Sequence, residues 1–221
     1  DHAREALRAT GVTVVDLRPV LSADRYFARD THWRPSGAAA AAEAVARAVG
    51  VSEANGSSSP GSSSRYISPS RALAGAERVR YERERTGSMT VSGDLMRFLP
   101  LGGLREPLGL GPEEAPLYEV RRISGPASGG DEVAGSDGGL GLFDELRIPV
   151  ALVGTSYSRD ERWGFADALK VALRADVLNV ASEGEGPFEP MREYLAGESI
   201  RDVTPRLVIW EIPERYLTIP P

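Results

Sequence analysis

The sequence predicts an α/β fold, a mostly parallel sheet covered by helices on both faces in a three-layer α/β/α sandwich. Three observations carry this. Ile148 to Val153 is a continuous apolar run, the signature of a strand buried on both faces. Trp163, Ala166, Leu169 and Leu173 then mark one face of a helix, and Val177 to Val180 is a second apolar run, so strand, helix and strand alternate as a parallel sheet requires. Leu207 to Ile212 (LVIWEI) reads as a last buried strand before a proline-rich end.

The remaining elements follow in chain order. Residues 3–9 read as helix, and Gly11 precedes Val12, Val14 and Val15, a β-branched run that ends at Asp16 like a buried strand. Pro35 and Ser36 open an alanine-rich helix that runs to about Val49 and stops at Gly50. Residues 52–64 (SEANGSSSPGSSS) and 124–141 are low-complexity insertions. Between them, Arg78 to Arg85 alternates Arg and Glu around Tyr81, which reads as a solvated face, with a substrate-facing patch the alternative. Pro187 to Leu195 reads as a short helix. With two insertions poor in apolar residues and core enough for one body, residues 1–221 are read as a single domain. The direct entry into a helix creates the expectation that further sequence, a sheet strand and a targeting segment included, precedes residue 1.

Composition removes several function classes. A net charge of −6 argues against duplex nucleic acid, which needs a concentrated positive face. No cysteine means no disulfide, thiol nucleophile or thiolate metal site, and two histidines rule out a histidine-rich metal centre; no metal or cofactor is expected. The longest apolar stretch, Ala38 to Val49, is too short for a bilayer and carries Glu43 and Arg47. Lys170 is the only lysine, so nearly all positive charge is arginine.

In a parallel α/β sheet, chemistry collects at the carboxyl ends of the strands. Gly154-Thr155-Ser156-Tyr157-Ser158 follows the most apolar strand and opens a helix, which exposes the Ser156 hydroxyl at a sharp turn. A serine needs a general base held by a third group. Of the two histidines, His2 lies at a terminus, whereas His32 lies two residues after Asp30 in a loop, so Asp30 can orient His32 from the same turn. Alone, each motif has an ordinary alternative: Gly-x-Ser after a strand caps helices, and Asp-x-His is common in loops. Oxyanion stabilisation would come from the Ser156 amide and from the turn Ser182-Glu183-Gly184-Glu185-Gly186-Pro187, with Gly186 first and Gly184 second, although a plain turn explains those glycines equally. Tyr157, Arg215 and Trp210 are candidates for substrate contacts, with packing the alternative for Trp210 and Trp33.

Asp30-Thr31-His32-Trp33 with Gly37 and Ala38, Gly154-Thr155-Ser156-Tyr157-Ser158, and Trp210-Glu211-Ile212-Pro213-Glu214-Arg215-Tyr216-Leu217 together resemble the alginate O-acetyltransferase AlgJ/AlgX-like domains of the SGNH hydrolase superfamily. In that family the Asp-x-His pair precedes the nucleophile, as here. Gly93-Asp94-Leu95 is similar to a further family segment, with Asp94 as a helix N-cap the alternative. The usual oxyanion asparagine of the superfamily has no clear counterpart near Glu211. The resemblance implies an SGNH/flavodoxin-like fold and acetyl transfer from a donor to an exopolysaccharide hydroxyl through an acyl-serine. It also implies a periplasmic or otherwise extracytoplasmic setting and partnership with other membrane or periplasmic polymer-export proteins. Two rivals stand beside it: an acetylesterase of the same superfamily, and a non-catalytic polysaccharide-binding or assembly domain.

Overall fold

A computed structural model of the chain describes residues 2–50, 72–74, 76, 78–123 and 148–218. The insertions predicted at 52–64 and 124–141 lie outside the described residues. The elements are α1 (His2–Ala9), α2 (Pro35–Ala48), β1 (Arg80–Val91), β2 (Glu113–Ile123), β3 (Val150–Val153), α3 (Ser156–Arg159), α4 (Phe165–Leu173), β4 (Val177–Asn179), α5 (Phe188–Ala196), α6 (Ser199–Val203) and β5 (Leu207–Trp210).

The C-terminal half forms a parallel sheet in the order β4-β3-β5. All four residues of the central strand β3 are fully buried, and they divide by the two-residue period of a strand. Val150 and Leu152 join a cluster with Ala38, Ala42 and Val45 of α2 and Leu169 and Leu173 of α4. Ala151 and Val153 join a second cluster with Tyr194 and Met191 of α5, Ile200 and Trp210. A continuous apolar run is therefore required, since neither face of β3 meets water. The small side chains of Ala38, Ala41 and Ala42 let α2 lie close to α4, and each is at most 1% exposed.

Two expectations need correction. The run from Val12 to Asp16 is no strand: it stays unpaired, Val12 is 50% exposed, and only Val15 and Leu17 reach the core. Its β-branched residues favour extended backbone, but no neighbouring strand among the described residues offers a ladder, and Asp16 is instead clamped by Arg4 and Arg18. Nor is Arg78 to Arg85 simply a solvated face, because most of it lies in β1, which pairs antiparallel with β2 along a long ribbon. Arg80, Glu82 and Glu84 are exposed, whereas Tyr81 and Arg83 are half-buried. The Tyr81 hydroxyl donates to Asp176 and Arg83 stacks on Tyr118, so the charged alternation is that of a strand with one face against the body.

Smaller differences are boundary effects. Trp163 does not continue the α4 face; it ends a short 3₁₀ turn (Glu161–Trp163), and Gly164 separates it from α4. Ile148 and Pro149 precede β3, and β5 stops at Trp210, before Glu211 and Ile212.

Candidate active site

Three segments meet at the carboxyl ends of the parallel strands: the turn after β3, the loop after β4 that begins at Val180, and the residues after β5. Ser182 N–H donates to the Gly154 carbonyl at 3.1 Å, and Glu211 N–H donates to the Val153 carbonyl at 2.8 Å, which ties both neighbours to the turn. The fourth contributor, residues 25–34, follows no sheet strand. It is shaped by a bridge between Tyr26 and Trp33 and by a 2.8 Å bond from Arg34 N–H to the Arg25 carbonyl.

Ser156, His32 and Asp30 lie in one hydrogen-bonded line. Ser156 Oγ is 2.8 Å from His32 Nε2, and His32 Nδ1 is 2.6 Å from Asp30 Oδ1. Asp30 is buried, and it also accepts the backbone N–H of His32 at 2.9 Å and of Asp94 at 2.9 Å. A carboxylate in this position accepts only, so Nδ1 carries the proton and Nε2 presents its lone pair to the serine. Two aromatic rings pack on the imidazole: the Trp163 ring stacks on it at 5.2 Å, and the Tyr157 ring is tilted against it at 4.8 Å.

The turn that carries Ser156 has its own scaffold. Thr155 N–H donates to Glu211 Oε2 at 2.8 Å, Thr155 Oγ1 to the same oxygen at 2.9 Å, and Ser158 Oγ to it at 3.1 Å. Desolvation pushes the Glu211 carboxyl above its ordinary pKa, opposed by these donors and by Arg215. Gly154 makes the turn possible: a Cβ there would lie 2.6 Å from Glu211 Oε2 and 2.8 Å from Ser158 Oγ.

A second layer steadies the Asp30 loop. Asp94 accepts from Thr31 N–H at 2.8 Å and from Thr31 Oγ1 at 2.6 Å. Asp94 is the first residue of a 3₁₀ turn (Asp94–Phe98) whose N-cap is Gly93, so the alternative of Asp94 as a helix N-cap does not hold. Gly93 has φ +79°, and a side chain there would meet the Arg29 carbonyl at 2.2 Å. The oxygens of Asp30 and Asp94 and the His32 ring lie within 4.8 Å of one another, a spacing that could hold a cation, yet their ligand atoms are already engaged in these bonds.

The remaining predicted residues are placed differently. Tyr157 is buried; its hydroxyl donates to the Thr31 carbonyl and accepts from Arg215 Nη1 at 3.1 Å. Burial raises its pKa, against the Arg215 and Thr31 contacts, and keeps the phenol protonated. Trp210 donates its indole N–H to the Pro187 carbonyl at 2.8 Å and packs edge-on to Phe188, so it belongs to the core below the site. Gly184 and Gly186 follow Ser182 in the tethered loop, and Gly186 lies against the Tyr216 ring. Beside the turn, Arg159, Asp160, Glu161, Arg162, Ser182 and Glu183 line an open groove. Burial opposes ionisation of Asp160, but the Arg162 side chain and backbone N–H hold its carboxyl below its ordinary pKa.

Sequence reasoning missed Glu211, Trp163 and Asn179. Asn179 closes β4, donating to the Ser158 carbonyl at 2.8 Å and accepting from Ala181 N–H at 3.1 Å. Position offers a usable signal for two of them, since Asn179 and Glu211 both stand at or just past the end of a parallel strand. Trp163 carries no such signal.

The family model described as SGNH hydrolase-like domain, acetyltransferase AlgX, matches residues 1–214. A probable alginate O-acetylase AlgJ of Azotobacter vinelandii is 39% identical over 195 residues, 87% of this chain and 42% of the relative. The corresponding Pseudomonas aeruginosa protein is 38% identical over 216 residues, 95% of this chain and 49% of the relative. The chain thus spans less than half the length of these relatives. Among solved structures, the O-acetyltransferase domain of Pseudomonas putida AlgJ superposes with a TM-score of 0.74 at 30% identity, covering 99% of this chain and 65% of that one. Pseudomonas aeruginosa AlgX, at 21% identity and a TM-score of 0.63, shares the fold. The chain belongs to the family of the SGNH hydrolase-like domain of the acetyltransferase AlgX.

Proposed function

We propose that this domain is a serine-dependent O-acetyltransferase that moves an acetyl group onto a hydroxyl of an extracytoplasmic polysaccharide, with alginate or a related exopolysaccharide as the acceptor. The observation that carries the reading is the unbroken line Ser156 Oγ, His32 Nε2, His32 Nδ1, Asp30 Oδ1. The names of its relatives support the choice of acetyl as the group and of a polysaccharide as the acceptor.

In the first half-reaction Ser156 Oγ attacks the acetyl carbonyl of the donor while His32 Nε2 takes its proton. The Ser156 and Gly186 amides, with Gly184 as the alternative second donor, receive the oxyanion. Collapse breaks the bond to the leaving oxygen, which takes the proton from His32 and departs, leaving acetyl-Ser156. In the second half His32 removes the proton from a sugar hydroxyl as that oxygen attacks, and Ser156 recovers the proton when its ester breaks. Asp30 stabilises the imidazolium in both halves. Arg215, through the Tyr157 hydroxyl, positions the Asp30 loop for an incoming substrate.

In this reading the chain is one domain in three layers, with α2 and α4 on one side of the sheet and α5 and α6 on the other, working in the periplasm alongside an acetyl donor and polymer-export proteins. No described helix is long and apolar enough to cross a membrane. The test is partition of label. With a labelled acetyl donor and abundant polysaccharide, label is expected on the polymer and lost with Ser156→Ala. Release of all label as acetate would make the domain an esterase.

A further inference from the structure

Away from the serine, a cleft of about 280 Å³ opens between the start of α2 and the β1–β2 ribbon. Arg25, Arg34 and Arg83 line it with Pro116, Tyr118 and the small helix residues Ala39 and Ala40. The three guanidinium groups are not equivalent. Arg34 is ion-paired to Glu113 and lies over the Phe27 ring, so it is committed to the fold. Arg83 is half-buried, with its guanidinium 3.7 Å from the centre of the Tyr118 ring and one N–H reaching the Pro35 carbonyl at 3.4 Å. Arg25 reaches the Ser36 carbonyl at 3.2 Å. Among the described residues neither Arg25 nor Arg83 has a carboxylate within ion-pairing distance. The one acidic residue in the lining, Glu43, is 69% exposed and points to Arg47 at 3.9 Å.

A half-buried cation without a counterion is costly unless something supplies the missing charge. Desolvation lowers the pKa of Arg83, and the charge interactions with Tyr118 and the more distant Asp167 only partly offset it. The guanidinium fork is matched to a planar carboxylate, which it holds with two parallel hydrogen bonds. The apolar part of the lining, Pro116, Ala39, Ala40 and the Tyr118 ring, suits the C–H faces of a sugar, and the volume is that of one ring rather than a larger ligand.

We propose that this cleft is a binding subsite for one uronic acid residue of the acceptor polysaccharide, with Arg83 and Arg25 holding its carboxylate. The proposal rests on the acceptor being a polysaccharide. The subsite and the serine share one scaffold: Arg25 and Arg34 belong to the loop that presents His32, and Arg34 follows it by two residues. A chain held at the cleft is thereby kept on the catalytic loop while another of its residues presents a hydroxyl to acetyl-Ser156, which raises the effective concentration of acceptor.

The test is direct binding of a short homo-oligouronate to the whole domain, with a neutral oligosaccharide of equal length and inorganic phosphate as controls. Two variants are compared, Arg83→Gln and Ala40→Glu; the second sets a carboxylate into the cleft from a helix that tolerates it. Each is expected to weaken oligouronate binding about tenfold, Arg83→Gln by the loss of one charge-assisted hydrogen bond and Ala40→Glu by setting a like charge against the uronate carboxylate. The neutral sugar is expected to bind too weakly to respond, and acetyl release from a neutral aryl acetate to be unchanged. Oligouronate binding equal to wild type in both variants would overturn the subsite, and so would phosphate competing at the same concentration as the oligouronate. Failure of the serine chemistry would instead appear as absent acetyl release in the unmodified domain, while the binding measurement still reports on the cleft.

Discussion

His32→Ala is expected to lower the rate of acetyl-enzyme formation by about 10⁶-fold, the loss seen when the base of a serine triad is removed. The size follows from scarcity. The chain has two histidines and no cysteine, and the nearest acidic groups cannot replace the base. Glu211 faces the nucleophile turn, but its Oε2 is engaged by Thr155 and Ser158, and Asp160 is held by Arg162. Neither hydrogen-bonds Ser156 Oγ, whereas His32 Nε2 stands 2.8 Å away. Single-turnover kinetics with an aryl acetate would check this. A loss under about 100-fold, the low end for general-base catalysis, would mean that the proton goes elsewhere.

Asp30→Asn is expected to cost about 10⁴-fold in acyl transfer, with the fold retained at a cost of about 1–3 kcal/mol for the buried N–H left facing the amide, because the tautomer is disturbed and the shape is not. Asp30 accepts three N–H groups, from the His32 ring, the His32 backbone and the Asp94 backbone. An amide in its place has one acceptor oxygen and an NH₂ that must turn toward some of those donors. The relaxed state puts the NH₂ opposite Nδ1, which then becomes the acceptor, and the ring proton moves to Nε2, where it faces Ser156 and blocks its activation. Turnover of Asp30→Asn within a few-fold of wild type would remove Asp30 from its role. Ring-nitrogen NMR of His32, which reports the tautomer, separates this cause from simple loss of folding.

What the sequence made legible was whatever depends on local pattern. The apolar run of β3 could be read because a strand buried on both faces admits no polar residue. The strands β4 and β5 could be read as shorter apolar runs, although β4 ends on Asn179 and Val208 of β5 is 40% exposed, and α2 from Pro35 and its alanines. Ser156, Asp30 and His32 could be singled out as candidates from position and scarcity. Their meeting is a tertiary fact, because the Asp30 loop is 124 residues from Ser156 and arrives without a sheet strand to announce it. The error at Val12 to Val15 has the same origin: β-branched residues show a preference for extension, and pairing is decided by neighbours. The β1–β2 ribbon was hidden by its charge, since Arg and Glu on the outer face obscured the inward alternation of Tyr81 and Arg83. Glu211 illustrates a third limit. It was weighed as the position where an oxyanion donor was missing, but it acts as an acceptor that holds the turn in place.

The most direct test of the whole scheme is to trap the acyl-enzyme. The domain is mixed with an aryl acetate, quenched in acid, digested and mapped by mass spectrometry. The expected result is one acetyl group on the peptide carrying Gly154-Thr155-Ser156-Tyr157-Ser158, located on Ser156 by fragmentation, absent from Ser156→Ala and discharged by added polysaccharide. Acetyl on another residue, or an adduct undiminished in Ser156→Ala, would contradict it.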